Sequence, residues 1–484
     1  MYLGIDIGTS GVKALLLGED GAIAGQAVAP LTVSRPHPLW SEQAPADWWR
    51  AVEQAVADLD AGLRRKVRGI GLSGQMHGAV ALGADDGVLR PAILWNDGRS
   101  QPQCAELTRI EPRTPQITGN AVLAGFTAPK LLWLRENEPD LFAAIRTLLL
   151  PKDWVRLRMT GEKISDMSDA SGTLWLDVAK RRWSPAMLAA CGLDEAMMPA
   201  LCEGSAASAT LSAEVAARWG MEPVPVAGGG GDNAAGAVGL GVVDPGQTFL
   251  SLGTSGVIFT VTEGFRPDPD AAVHAFAHAV PDRWHRMSVM LSAASCLDWG
   301  VALTGLRDVP ALLELSLKAD ERSDLLFLPY LSGERTPHAN PAAQGVFFGL
   351  TGATGQAELA RAVLEGVAMG LRDGLDALTD ATTPIEEISM AGGGSRSDAW
   401  GRVIAAALER PLLWREGGDI GPALGAARLG RLAAGDGGIA EVCTPPAMTA
   451  RVDPDPALVE RMREKQGRFR ALYAAVDGLW PGVA

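Results

Sequence analysis

Five cysteines in 484 residues, at 104, 191, 202, 296 and 443, are too few and too scattered for a disulfide framework. They form no CxxC pair and no Cys/His cluster, so reduced thiols and a cytoplasmic location are expected. No run of eighteen or more strongly apolar residues occurs, which excludes a membrane span from the expectation. The N-terminus enters an apolar strand pattern without a basic region or a cleavable apolar segment, so no secretory signal is expected. Basic residues are in deficit: 43 Lys and Arg against 57 Asp and Glu leave a net charge of −14. That argues against nucleic acid as a partner, because a phosphate backbone requires clustered cations; the acidity serves solubility. The chain also lacks GxxxxGK[ST], and the GGGGDN at 228–233 lacks the spacing of a dinucleotide fingerprint.

Glycine, in contrast, is abundant at 57 residues and points to tight turns and close backbone approaches. Apolar content of 47% and a charged fraction of 21% are ordinary for a globular protein, and the length predicts two to three domains. Residues 2–18 set the pattern. Leu3, Ile5 and Ile7 alternate with Gly4 and Asp6, a GTSG turn follows at 8–11, and a second apolar run covers 12–17. The spacing predicts strand, glycine turn, strand. Thr9, Ser10 and the backbone N–H groups of the turn can wrap a phosphate, with Lys13 just behind. Asp6 stands on the strand leading in, where a carboxylate can hold a metal ion beside that phosphate.

The same pentapeptide returns at 253–257, within TFLSLGTSGVI. Gly253, Thr254 and Ser255 repeat Gly8, Thr9 and Ser10, again between apolar runs, while Asp6 becomes Ser251. Two copies in matching contexts predict an internal duplication and two similar cradles facing one ligand, only one of which carries a carboxylate.

Between these landmarks strands and helices alternate, as in an α/β sheet. A strand is expected near 22–28, a helix over 46–63 with Trp48, Val52 and Val56 at four-residue spacing, and a strand at 67–72 running into SGQMHG. Gln75, Met76 and His77 thus fall on a strand-exit loop, where polar side chains can bind a polyhydroxylated ligand. Asp97 and Arg99, after Trp95 and Asn96, read either as a surface ion pair or as a polar wall beside an aromatic face for sugar C–H groups. A strand at 224–227 empties into Gly228 to Gly231 and then Asp232 and Asn233. Strand carboxyl ends are where open α/β sheets bind ligands. Asp232 can be a mere helix cap, but four glycines give more backbone clearance than a cap requires. The run 242–247 is the expected boundary, dividing the chain into domains 1–244 and 245–484. In the second half, 356–378 carries a long amphipathic helix, 388–391 a strand opening onto Gly393, Gly394 and Ser395, and 417–429 a glycine loop and a small-residue helix that loosely repeats the surroundings of Asp232. Glu334 and Arg335, in a Pro- and Gly-rich loop, read as a solvated turn in preference to part of the domain hinge.

Two long mixed patterns, GFTAPKLLWLREN at 125–137 and GVFFGL at 345–350 continuing through EL at 358–359 to AVLE at 362–365, resemble those of the FGGY family of carbohydrate kinases. SRPHPLWSEQ, GQMHGA, RPAILWNDGR, GGGDNAAGAVG and LPYLSGERTPH extend the resemblance over the whole chain. It implies two duplicated actin-like, ribonuclease-H-like domains around a catalytic cleft, with transfer of the γ-phosphate of ATP to a sugar hydroxyl and Mg²⁺ as cofactor. Asp232 matches the catalytic base, and Asp6 the carboxylate near metal and phosphates, so that both are candidate metal residues. Met76, His77, Asp232 and Asn233 match the sugar site. Thr9, Ser10, Lys13, Thr254 and Ser255 match the phosphate side, and Gly393, Gly394 and Ser395 the adenosine end. Family precedent implies a homodimer. The readings left open are a relative acting on another ketose, polyol or deoxysugar, and an actin-like nucleotide-driven switch without a sugar.

Overall fold

The structure, a computed structural model, describes residues 1–320, 323–380, 383–392, 397–418 and 421–480. The first sheet is built from β1 (Tyr2–Ile7), β2 (Gly11–Leu17), β3 (Ile23–Pro30), β4 (Gly69–Gly74), β5 (Ala207–Thr210) and β6 (Pro225–Ala227), in the order β5-β6-β4-β1-β2-β3. β1 lies parallel to β4 and antiparallel to β2. Leu3, Ile5 and Ile7 on one face of β1 and Tyr2 and Gly4 on the other are buried, as a central strand covered on both sides requires. The helices that matter in this half are α1 (Pro45–Ala57), α2 (Pro151–Thr160), the short α3 (Met167–Ser171) and α4 (Asp232–Leu240).

The second sheet contains β7 (Thr248–Leu252), β8 (Gly256–Thr262), β9 (His274–Ala277), β10 (Trp284–Met290), β11 (Ile388–Ala391), β12 (Leu412–Arg415) and β13 (Met448–Val452), in the order β9-β10-β8-β7-β11-β12-β13. Its core β7-β8-β10 and β11-β12 pair with the same directions as β1-β2-β3 and β4-β6. The duplication expected from the repeated pentapeptide is therefore a duplication of sheet topology. The helices are α5 (Ser295–Thr304), α6 (Gln356–Leu378) and α7 (Gly421–Ala433). α6 buries Val363, Val367 and Leu371, the stripe its spacing predicts.

Packing crosses the expected boundary at 244/245. α7, from the second half, lies against β1 and β4: a Cβ on Gly4 would come within 2.0 Å of the Ala423 carbonyl oxygen, and one on Gly71 within 1.8 Å of that of Ala426. α4, from the first half, shares a core with the second sheet through Ala237, Leu240, Phe249 and Ala391. The two helices press together so closely that a Cβ on Gly425 would lie 1.7 Å from the Ala235 carbonyl oxygen. These small-residue runs are thus the close-packed seam between the halves, with glycine where backbones touch.

The helix expected over 46–63 ends at Ala57, and a separate turn covers Ala61–Arg64. Asp60 starts the second piece by accepting from the Leu63 amide at 2.8 Å, a capping bond that competes with helix continuation. All five cysteines are free. Among the described residues no helix is long and apolar enough to cross a membrane.

Candidate active site

Three strand ends of the first sheet converge. Asp6 faces Ser73 across β1 and β4, and Gly230 and Gly231 run beside Ser73 and Gly74. The register therefore delivers Asp6, the 75–77 loop and Asp232 to one place, at the carboxyl ends of parallel strands. A cavity of about 220 Å³ opens there between the two halves, lined by Asp232, Asn233, Gly236, Phe249, Ser251 and Gly392, among others.

Asp232 is the first residue of α4, and both of its hydrogen bonds fall on one oxygen. Its Oδ1 accepts from the Asn233 amide at 2.7 Å and from Asn233 Nδ2 at 2.9 Å. Burial and then the negative charge of Asp6 push its carboxyl up to about 7, against the smaller opposing effect of those two donors. Burial likewise raises Asp6 to about 6, while Ser73 and the positive charge of Lys13 hold it down. Asp6 Oδ1 is buried without a hydrogen-bond partner. Among the described residues no cluster of three or more His, Cys, Asp or Glu is assembled as a metal cage. Two neighbouring carboxylates with one orphaned oxygen suit instead a hard divalent cation that arrives with phosphates and keeps other ligands.

His77 holds a left-handed backbone at φ 69. Lys130 Nζ and Thr127 Oγ1 both donate to its carbonyl, at 2.8 and 3.1 Å, which stabilises that conformation and explains why the GFTAPK segment carries those side chains. The imidazole Nδ1 lies 2.7 Å from the Gly172 carbonyl oxygen, which can only accept, so Nδ1 carries the proton and Nε2 is an acceptor. Burial depresses the ring to about 3 and keeps it neutral. Phe126 packs edge-on against it at 4.9 Å. Met76 is 6% exposed, and a Cβ on Gly231 would meet its Sδ at 2.7 Å.

Other expected residues are placed differently. Gln75 is 2% exposed: its Oε1 accepts from Thr9 Oγ1 at 3.0 Å and its Nε2 donates to Gln43 at 2.9 Å. Trp95 Nε1 donates to the same Thr9 hydroxyl at 3.0 Å. Gln75 and Thr9 thereby brace the first turn against the 75–77 loop. Asp97 is not at the surface either. Its oxygens accept from the Ser41 amide and from the Arg99 amide, Nε and Nη2. Arg99 is itself stacked on Trp40 at 3.5 Å, so the pair is a buried brace. Ser10, Gly253 and Thr254 are exposed at the two turns, with Ser255 half-buried. Lys13 stands opposite Asp6 on β2. Gly393, Gly394 and Ser395 lie outside the described residues.

Glu334 and Arg335 are no solvated turn. Glu334 is 3% exposed and accepts from the Leu291 and Arg335 amides. Arg335 Nη1 donates to His274 Nε2 at 3.1 Å, next to the aromatic cluster of Phe126 and Phe276 around His77. Polar letters in a Pro- and Gly-rich stretch gave no sign of this burial.

The family comparison decides what this constellation belongs to. The family models for the N-terminal and C-terminal domains of FGGY carbohydrate kinases match residues 1–239 and 248–434. The chain belongs to the FGGY family of carbohydrate kinases. This FGGY kinase is 58% identical to the xylulose kinase of Escherichia coli (strain K12) over 436 residues, 90% of each chain. It is 37% identical to that of Bacillus subtilis (strain 168) over 440 residues, 90% of this chain and 88% of the relative. The crystal structure of a xyloylose kinase from Brucella ovis superposes with a TM-score of 0.96 at 51% identity over 99% of both chains. That of the xylulose kinase from Rhodospirillum rubrum gives 0.91 at 30% identity, again over 99% of both. The protein is accordingly an ATP-dependent sugar kinase with the two-domain α/β architecture of its family.

Proposed function

We propose that this FGGY kinase transfers the γ-phosphate of ATP to the O5 hydroxyl of D-xylulose, giving D-xylulose 5-phosphate and ADP. The observation that carries the reading is Asp232: a carboxyl tuned to about 7, beside Asp6, lining the cavity between the halves. A base is most effective with a pKa near the working pH. The names of the relatives at 58% and 37% identity support the sugar.

The sugar lies against Met76, His77 and Asn233. Neutral His77 offers Nε2 as an acceptor to one hydroxyl, and Asn233 holds Oδ1 of Asp232, leaving Oδ2 to work. As O5 attacks the γ-phosphorus in line, its proton passes to Asp232; the O5–P bond forms, and the bond from phosphorus to the ADP oxygen breaks. The protein contributes mainly position and charge complementarity. Thr254, Ser255 and Gly253 face the phosphates from the second half, with Ser10 and Lys13 opposite. Residues 393–395 attend the adenosine end. Asp6 with Asp232 would hold Mg²⁺, which when bound supplies positive charge to the phosphate oxygens. Asp97 acts indirectly, by bracing Arg99. Dependence on ATP supports a cytoplasmic location, and sedimentation tests the homodimer that the resemblance implies.

The test is Asp232→Asn, followed by ADP release over a panel of D-xylulose, other ketoses, glycerol and gluconate. The variant is expected to lose about 10²–10⁴ in kcat, the usual worth of a general base. Near-wild-type turnover in the folded variant removes Asp232 as the base. Fastest release with another sugar changes the substrate, and no acceleration by any sugar favours the nucleotide-driven switch.

A further inference from the structure

The Asp232 carboxylate hangs on a glycine tract that has no side chains with which to hold itself. Gly229 sits at φ 80, and a Cβ there would lie 2.4 Å from the Leu72 carbonyl oxygen; one on Gly228 would lie 2.3 Å from that of Glu203. Anchorage must come from neighbours, and those neighbours are buried charged and polar groups. At the near end of the tract Arg156 donates from Nη1 to the Ala227 carbonyl and from Nη2 to the Gly228 carbonyl, both at 2.5 Å. At the far end the Gly231 amide, immediately before Asp232, donates to Ser168 Oγ at 3.1 Å.

The direction of that last bond is set from behind. Ser168 Oγ donates its own proton to Asp166 Oδ2 at 2.5 Å, so a lone pair must face Gly231. Asp166 also caps α3 through the Ser168 amide at 2.8 Å, and its Oδ1 lies 3.0 Å from Lys152 Nζ. Lys152 further touches Asp153 at 2.5 Å and Asp169 at 3.6 Å. Ser168, Asp166, Asp153, Asp169, Lys152 and Arg156 are all 0% exposed. Buried charge of this kind is a weak source of stability, so stability alone does not account for it.

We propose that Ser168 is a positioning residue for phosphoryl transfer. Its hydroxyl, oriented by Asp166 and Lys152, fixes the Gly231 amide and through that peptide the direction of the Asp232 carboxylate. The proposal rests on Asp232 being the base. A misplacement of about 1 Å can cost on the order of 10²-fold in rate without contact to the substrate.

The experiment measures kcat, KM for D-xylulose and the thermal midpoint for Ser168→Ala, Ser168→Thr, Asp232→Asn and the Ser168→Ala/Asp232→Asn pair. Ser168→Ala is expected to lower kcat by about 10- to 100-fold with KM changed less than about threefold. Ser168→Thr, which keeps the hydroxyl, is expected to recover kcat to within about fivefold. With Asp232 replaced by Asn, the Ser168→Ala loss should disappear, because no carboxylate remains to be aimed. Full kcat in Ser168→Ala overturns the proposal. So does an equal further loss in the Asp232→Asn background, or a folded Ser168→Thr as slow as Ala. If Ala does not fold, Thr alone decides: a folded Ser168→Thr more than about tenfold slower than the wild type overturns the proposal. Wild-type turnover in Asp232→Asn is a different failure: it removes the base itself, and the proposal with it.

Discussion

In the first hairpin the Gly8 amide closes on the Gly11 carbonyl and Ile7 faces Val12; in the second, the same five letters close one residue sooner, Gly253 on Ser255, and Leu252 faces Gly256. A one-residue change of register turns every side chain on the outgoing strand to the opposite face. Val12 is accordingly buried and Lys13 half-buried, whereas Val257 is half-buried and Ile258 is buried. The flanking sequence decides which register wins. Lys13 resists burial in the first sheet, while Ile258 and Phe259 both seek it in the second. Asp6 therefore faces a lysine across its hairpin, and Ser251 faces Val257. The two turns also differ in what they grip. Thr9 spends its hydroxyl on Gln75 and Trp95, but the Thr254 carbonyl receives the Ala293 amide and the Ser295 hydroxyl beside α5, leaving the Thr254 side chain exposed. A duplicated backbone has diverged into one braced, charged jaw and one open, neutral jaw.

The strongest way to break that contrast is to give the first jaw the residue of the second. Asp6→Ser is expected to lower kcat on the order of 10²-fold, as for loss of an electrostatic group at the reacting phosphate, and to raise the Mg²⁺ concentration needed for half-activity. KM for the sugar should change little, since Asp6 is not placed against it. ADP release across a Mg²⁺ titration reads both. The reverse exchange, Ser251→Asp, adds a second carboxylate to a cavity that Asp232 already lines. It is expected to raise KM for ATP by about tenfold through like-charge repulsion, with a smaller effect on kcat, in steady-state kinetics at saturating sugar.

Much of this site was legible because its elements are punctuated by glycine. The alternation in β1, the strand ending at 74 and the tract 228–231 each place a strand end, and the structure brings Asp6, Met76, His77, Asp232 and Asn233 to those ends. The register difference was not legible, since identical letters carry identical local preference and only the partner strands decide. Nor was the burial of Gln75, Asp97 and Glu334. Each satisfies its polar atoms with groups far away in sequence (Gln43, Ser41 and Leu291), and no local pattern encodes such pairings. The exchange of α4 and α7 between the sheets left a signal in their runs of Gly and Ala, but those letters say only that something comes close, not what.

The contrast is sharpened by pH. Asp6 is the charge that, after burial, raises Asp232. As a base Asp232 must be ionised, so kcat/KM of the wild type should rise with pH through about 7. Removing the charge in Asp6→Asn lowers the Asp232 pKa, so the residual activity should follow a limb displaced to lower pH by about one unit. A limb that stays in place would separate the two carboxylates.

The smallest effect is on stability. The Asp232 carboxyl stands at about 7 in the folded protein against an ordinary value of 3.8. The folded state therefore binds the proton more tightly than the unfolded chain does. Stability is lost as pH rises from about 4 to about 7, and above that the full cost of the buried charge is present. Asn carries no charge at any pH, so Asp232→Asn should raise the thermal midpoint by at most about 4 °C at pH 8 and by nothing near pH 4, because a shift of roughly three pKa units is worth about 4 kcal/mol and a chain of this length moves only about 1 °C per kcal/mol. The first jaw makes the prediction specific: the same substitution in an Asp6→Ser background should gain less, since part of the cost at Asp232 is repulsion from Asp6. Calorimetry of the single and double variants at the two pH values measures that difference, and an equal gain in both backgrounds would mean that burial alone, without the charged jaw, tunes the base.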